Sequence, residues 1–205
     1  MTMSRIGFVL VMSCVLGTVS FFGAATAVQA QVKAGDVVDR ASLKAFVERA
    51  VELAEREISH PADAYAFFDR TFGPEGEWRM GSIYLYVSNT RGVIRFHGAR
   101  TDLEGVDLYN DRDKTGKLYV RELIRAAEAG GGFVEYYFDN PAVAGDEDEG
   151  SLKVGYVKML DIGGERRFIG SGIYPADSVP IAPPLALLAL VALLAGGAYR
   201  RLRER

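Results

Sequence analysis

Cysteine and histidine are almost missing from this chain. Cys14 is the one cysteine, and His60 and His97 are the two histidines. Cys14 stands in Val-Met-Ser-Cys inside an apolar run that continues past it, a poor lipid-attachment signal. Beyond residue 30 there is no cysteine, which excludes disulfides, zinc–thiolate sites and thiol catalysis from the rest of the chain. Two histidines and scattered acids do not suggest a metal centre, and His60 directly precedes Pro61. There is no Gly-x-Ser-x-Gly elbow, P-loop, His-Glu-x-x-His or dinucleotide fingerprint. No enzyme activity and no cofactor are therefore expected. The net charge is only -3, and no basic stripe is interleaved with aromatics, so nucleic acid is not an expected partner. The acidic run at residues 146–149 lacks the alternating oxygens and twelfth-position glutamate of a calcium loop and reads as a solvated hairpin loop.

Hydrophobicity is concentrated at the two ends. Arg5 precedes an apolar run over residues 6–22, and small residues lead to Val28-Gln29-Ala30, a small-x-small cleavage pattern before Gln31. Residues 1–30 are thus expected to be a signal peptide, or an uncleaved anchor. Residues 181–199 carry no charge. At about 1.5 Å per residue they would extend roughly 28 Å, close to the ~30 Å hydrocarbon core. Arg200, Arg201, Arg203 and Arg205 follow, which by the positive-inside rule places residues 200–205 in the cytoplasm. The expected arrangement is a single-pass protein of the cell membrane, with residues 31–176 on the extracytoplasmic, periplasmic side. A tail this short cannot form an output domain. Any signal would have to pass within the membrane or to a partner.

The middle, about 145 residues, is long enough for one hydrophobic core. From residue 39 to 57, Leu43, Phe46, Val47, Ala50, Leu53 and Ala54 recur at helical spacing, with Asp39 or Ser42 as the cap. A short helix is expected over 61–70, started by Pro61. Residues 83–89 and 92–97 read as a hairpin of strands, 117–129 as a helix closed by Gly130-Gly131-Gly132, and 133–138, 152–160 and 167–174 as three further strands. The predicted class is α+β: a PAS-like antiparallel five-stranded sheet with the long N-terminal helix on one face, plus the C-terminal transmembrane helix.

The motifs in order are the aromatic strand at 84–87, Gly92, His97, Leu103 with Gly105, the Asp-x-x-Gly-Lys at 113–117, and the glycines and Phe133 at 130–133. Lys153, Tyr156 and Lys158 follow in one strand, and Gly170, Gly172 and Tyr174 close the series. In this order and spacing the chain resembles the single Cache domain of the second type, a family of extracytoplasmic ligand-binding domains of bacterial chemoreceptors and sensor kinases. The resemblance covers residues 39–174. Two positions depart from the family: Phe133 where tryptophan is common, and Gly98 where proline usually follows the histidine. The resemblance implies a small organic ligand, with carboxylates foremost. It also implies a receptor or sensor kinase acting in trans, since no output domain is attached, and a possible homodimer. Val179-Pro180 with Pro183-Pro184, the apolar span and the arginines also resemble a tripartite sorting tail of the kind read by exosortase-like peptidases. A plain anchor is the alternative.

In a strand, residues two apart share a face, so Tyr84 and Tyr86 point together, as do Tyr136 and Phe138. A buried tyrosine hydroxyl needs a partner, and a polar pocket containing a cation would supply one. The candidate ligand-binding residues are Tyr84, Tyr86, His97, Arg121, Tyr136, Lys153 and Tyr156, with Lys153, Arg121 and His97 as candidate cations. Lys153 and Tyr156 are three apart and face opposite sides of an ideal strand. Arg121, beside Glu122 and Arg125, has the competing reading of a solvated helix face. His97 has the competing reading of a surface turn residue, and the two tyrosines that of half-buried sheet residues. The expected function is a membrane-anchored sensing module for a small carboxylate. The alternative is a surface or scaffold protein that keeps the fold without ligand-driven signalling.

Overall fold

In the computed structural model, residues 31–146 and 150–175 are described. The expected signal peptide, transmembrane span, basic tail and sorting tail all lie outside them, as does most of the acidic run. Among the described residues no helix is long and apolar enough to cross a membrane.

Helix α1, Arg40–Glu57, starts where expected. The Asp39 carboxylate accepts from the Ser42 amide at 2.8 Å, and Ser42 Oγ accepts from the Asp39 amide at 3.0 Å. This reciprocal pair satisfies two orphan donors of the first turn. Leu43, Phe46, Val47, Ala50, Val51 and Ala54 form its buried stripe. The expected second helix is divided into a 3-10 turn, Pro61–Asp63, and α2, Ala64–Phe72.

Five strands follow in an antiparallel sheet: β1 Tyr86–Asn89, β2 Ile94–His97, β3 Gly132–Phe138, β4 Ser151–Ile162 and β5 Glu165–Ile173, in the order β2-β1-β5-β4-β3. Helix α3, Tyr119–Glu128, lies between β2 and β3 in sequence. The first strand is shorter than its β-prone sequence suggests. Gly81 at φ +56 turns the chain, and Ile83 pairs with Met80 in an isolated bridge before β1 begins. The last two strands are longer than expected. They are joined by Gly163 and Gly164 at φ +57 and +86, a two-residue turn in which both central residues need positive φ.

The sheet is covered on both sides. On one, α1 and α2 bury Phe46, Phe68, Phe72, Leu85, Tyr156 and Ile169 in an apolar core. On the other, α3 and the long β2–α3 connection cover a second cluster that includes Tyr84, Tyr86, Tyr119, Tyr136 and Phe168. The first side is predominantly aliphatic and phenyl. The second is rich in phenols and holds a lysine.

Candidate functional site

Three glycines make room on the second face. Gly155 and Gly172 are paired across β4 and β5, and Gly170 is paired with Tyr86 of β1. A Cβ on Gly172 would meet Lys153 Cε at 2.5 Å, and one on Gly155 would meet Tyr136 Cε1 at 3.0 Å. A Cβ on Gly170 would overlap the Tyr86 ring. These side chains therefore lie flat over bare backbone instead of standing off the sheet.

Lys153 is only 1% exposed. Its Nζ donates to Tyr84 Oη at 2.7 Å and sits 4.2 Å from the Tyr84 ring centre, 5.1 Å from that of Tyr174 and 5.2 Å from that of Phe138. Cation–π attraction recovers part of the lost hydration. Among the described residues Nζ has no ion-pair partner within 4.0 Å. The carboxylate whose charge acts on it is that of Asp139, itself held by Arg100 at 2.7 Å. Burial pushes the lysine down to about 7, opposed only by Asp139.

His97 is also buried, at 3% exposure. Its Nδ1 accepts from the amides of Arg100 at 2.8 Å and Ala99 at 3.3 Å. With Nδ1 an acceptor, the neutral ring carries its proton on Nε2. Burial, then the charges of Lys153 and Arg100, hold its pKa at about 3. The ring stacks on Tyr86 at 6.0 Å and on Phe138 at 6.0 Å.

Tyr86 Oη is the one buried side-chain polar atom among the described residues without a hydrogen-bond partner. The Tyr136 hydroxyl is close enough to perturb it, but the pair does not reach hydrogen-bond geometry. Burial, first, raises the pKa of both phenols, that of Tyr136 to about 12.

These groups line a half-open cavity with about 20 Å3 of room for the centre of a water molecule, space for one water. The described lining residues include no carboxylate. Leu103, Leu108, Tyr119 and Phe138 separate it from an outer basin of about 170 Å3. That basin is charged by Arg100, Arg112, Lys114, Asp111, Asp113 and Asp139. Asp113 ties its wall together: Oδ1 accepts from Thr115 N, Thr115 Oγ1 and Lys117 N, and Oδ2 accepts from Tyr137 N. The Asp-x-x-Gly-Lys motif is thus a loop staple.

Tyr84, Tyr86, His97, Tyr136 and Lys153 come together, whereas Arg121 and Tyr156 do not join them. Arg121 lies outside, its guanidinium 4.6 Å from the Tyr109 ring centre and bonded to Asn110 Oδ1. Tyr119 takes the inward face of α3, and a residue two further along the helix points away. Tyr156 is on the α1 side, its hydroxyl donating to Glu48 at 3.2 Å, because it alternates with Lys153 across the sheet. Tyr119, Phe138 and Tyr174 belong to the cluster although sequence reasoning did not select them. The glycines opposite were the available signal.

A protein-family model described as a Cache domain matches residues 75–179. A crystal structure of a methyl-accepting chemotaxis protein from Vibrio parahaemolyticus is similar, with 21% identity and a TM-score of 0.54, covering 68% of this chain and 90% of that one. A structure described as the periplasmic sensor domain of a chemotaxis protein is 28% identical with a TM-score of 0.51, covering 70% of this chain and 94% of that one.

Proposed function

This chain belongs to the Cache domain family, and on that premise we propose that its extracytoplasmic domain binds a small carboxylate. One observation carries the reading: a fully buried lysine with no carboxylate in ion-pair reach lines the same cavity as a buried phenol hydroxyl without a partner. Each is costly to leave so, because a buried charge needs a counter-charge and a buried hydroxyl needs a hydrogen bond. A carboxylate would satisfy both, and His97 Nε2–H would be a third donor. An amino acid or amine would bring an ammonium that finds no carboxylate in the lining. For a six-atom acid the ceiling of about -1.5 kcal/mol per heavy atom gives about -9 kcal/mol, before the cost of opening the cavity.

Residues 31–176 form the binding domain in this reading, residues 181–199 hold it to the membrane, and the occupied state is reported to a receptor or kinase in trans. Differential affinity for a closed and an opened cavity supplies the signal. Leu103, Leu108 and Phe138 are the barrier that must move, since a six-atom acid needs several times the ~30 Å3 of one water. The small cavity favours a second reading, in which the fold serves as a surface scaffold with no ligand.

A thermal-shift panel on the full-length chain in mild detergent separates the two. Propionate and related short acids should raise the midpoint with the logarithm of ligand excess, while amino acids, amines and purines should not. A panel in which no acid moves the midpoint supports the scaffold.

A further inference from the structure

We propose that Lys153 captures the carbonyl carbon of a small 2-oxo acid as a reversible imine, so that the cavity reads such acids covalently. The inference rests on the carboxylate reading and narrows the ligand to one class within it.

Imine chemistry needs an amine with a free electron pair, a proton donor for the carbonyl oxygen and an environment poor in water. Lys153 Nζ is surrounded by aromatic rings, has no ion pair among the described residues, and takes one hydroxyl partner at 2.7 Å. Desolvation in such a pocket favours the neutral amine, and with Lys153 at about 7 a large fraction is neutral at physiological pH. Tyr86 supplies the proton donor, since its unpartnered hydroxyl is buried in the same lining and its ring centre is 5.9 Å from Nζ. Aromatic and aliphatic side chains make up most of the lining, so a carbonyl held there lies in surroundings poor in water.

The step balances without an oxidant or a reductant. Nζ attacks the carbonyl carbon, the C–N bond forms, and the carbonyl π pair moves to oxygen. That oxygen takes a proton from Tyr86, and the nitrogen returns one to the phenolate. A second proton lost by nitrogen goes to the hydroxyl, which leaves as water while C=N forms. Amine and carbonyl become imine and one water. When the imine is protonated, the ligand's own carboxylate lies next to it and provides the counter-charge that the lining lacks. Simple aldehydes and ketones do not bring that charge. Simple carboxylates pair with the ammonium and go no further.

The test is borohydride trapping on the full-length chain with pyruvate as the probe, read by intact mass and peptide mapping, with propionate shifts measured in parallel. The expected product is one adduct of pyruvic acid less one oxygen on Lys153, absent without borohydride, absent in Lys153→Arg and suppressed by excess propionate. An adduct spread over exposed lysines and unchanged in Lys153→Arg overturns the inference. A propionate shift with no adduct at Lys153 also overturns it and leaves the carboxylate reading standing. Neither shift nor adduct overturns both.

Discussion

Replacing Lys153 with methionine should make the protein more stable at and below neutral pH and remove one arm of its pH dependence. In the folded protein Lys153 is lowered from 10.5 to about 7 by burial, which corresponds to about 5 kcal/mol. The unfolded chain holds the proton up to 10.5, whereas the folded protein releases it near 7. Between these values the unfolded state binds more protons, so stability rises with pH, by up to about 1.4 kcal/mol per pH unit. Below 7 the full penalty applies. The buried tyrosines are raised above 10 by desolvation, so they oppose the rise only at more alkaline pH. From pH 7 to 9.5 the gain should be about 3 kcal/mol, or about 6–12 °C in midpoint for a domain of this size. Methionine fills much the same volume without the charge but leaves Tyr84 Oη without its donor, at a cost of about 1–3 kcal/mol. Lys153→Met should therefore be stabilised by about 2–4 kcal/mol at pH 6 and be flat from 7 to 9.5. His97 contributes an acid arm that should persist in Lys153→Met, weakened because the Lys153 charge is the second cause of its shift. Burial holds it at about 3 while the unfolded ring takes a proton near 6.5, so stability is lost in both proteins as pH falls from 6.5 to 3. Urea unfolding across the pH series measures all of this. Parallel curves for the two proteins between pH 7 and 9.5 would refute a buried, unpaired ammonium.

Two further substitutions probe how the site is built. Gly172→Ala puts a methyl 2.5 Å from Lys153 Cε. It should cost about 1–3 kcal/mol and abolish propionate binding in calorimetry, and retained binding would contradict the glycine-floor account. Asp113→Ala removes acceptors from Thr115, Lys117 and Tyr137. It should destabilise by about 2–4 kcal/mol and speed amide exchange over residues 98–118, and unchanged exchange there would refute the staple.

The local layout was readable from the residues because it depends on local physics. The Asp39–Ser42 cap and the stripe from Leu43 to Ala54 placed α1, and period-two alternation correctly set Lys153 and Tyr156 on opposite faces. Strand ends were less legible. Gly163 and Gly164 extend β4 and β5 to their two-residue turn, and Gly81 delays β1 despite the β-prone Ile83. The burial of His97 and Lys153 could not be read locally, since it depends on α3 and the β2–α3 connection covering the sheet. Arg121 shows the same limit from the other side. Its charge suited a pocket, but its helical phase set it against Tyr109.

Calorimetric titration of propionate into the full-length chain, from pH 6 to 9, tests the central claim most directly. One saturable site should appear at pH 6, weaken about tenfold per pH unit once Lys153 releases its proton above 7, and be missing in Lys153→Met. No saturable heat at pH 6, or an affinity unchanged from pH 6 to 9, would contradict the claim that a buried lysine holds a small carboxylate.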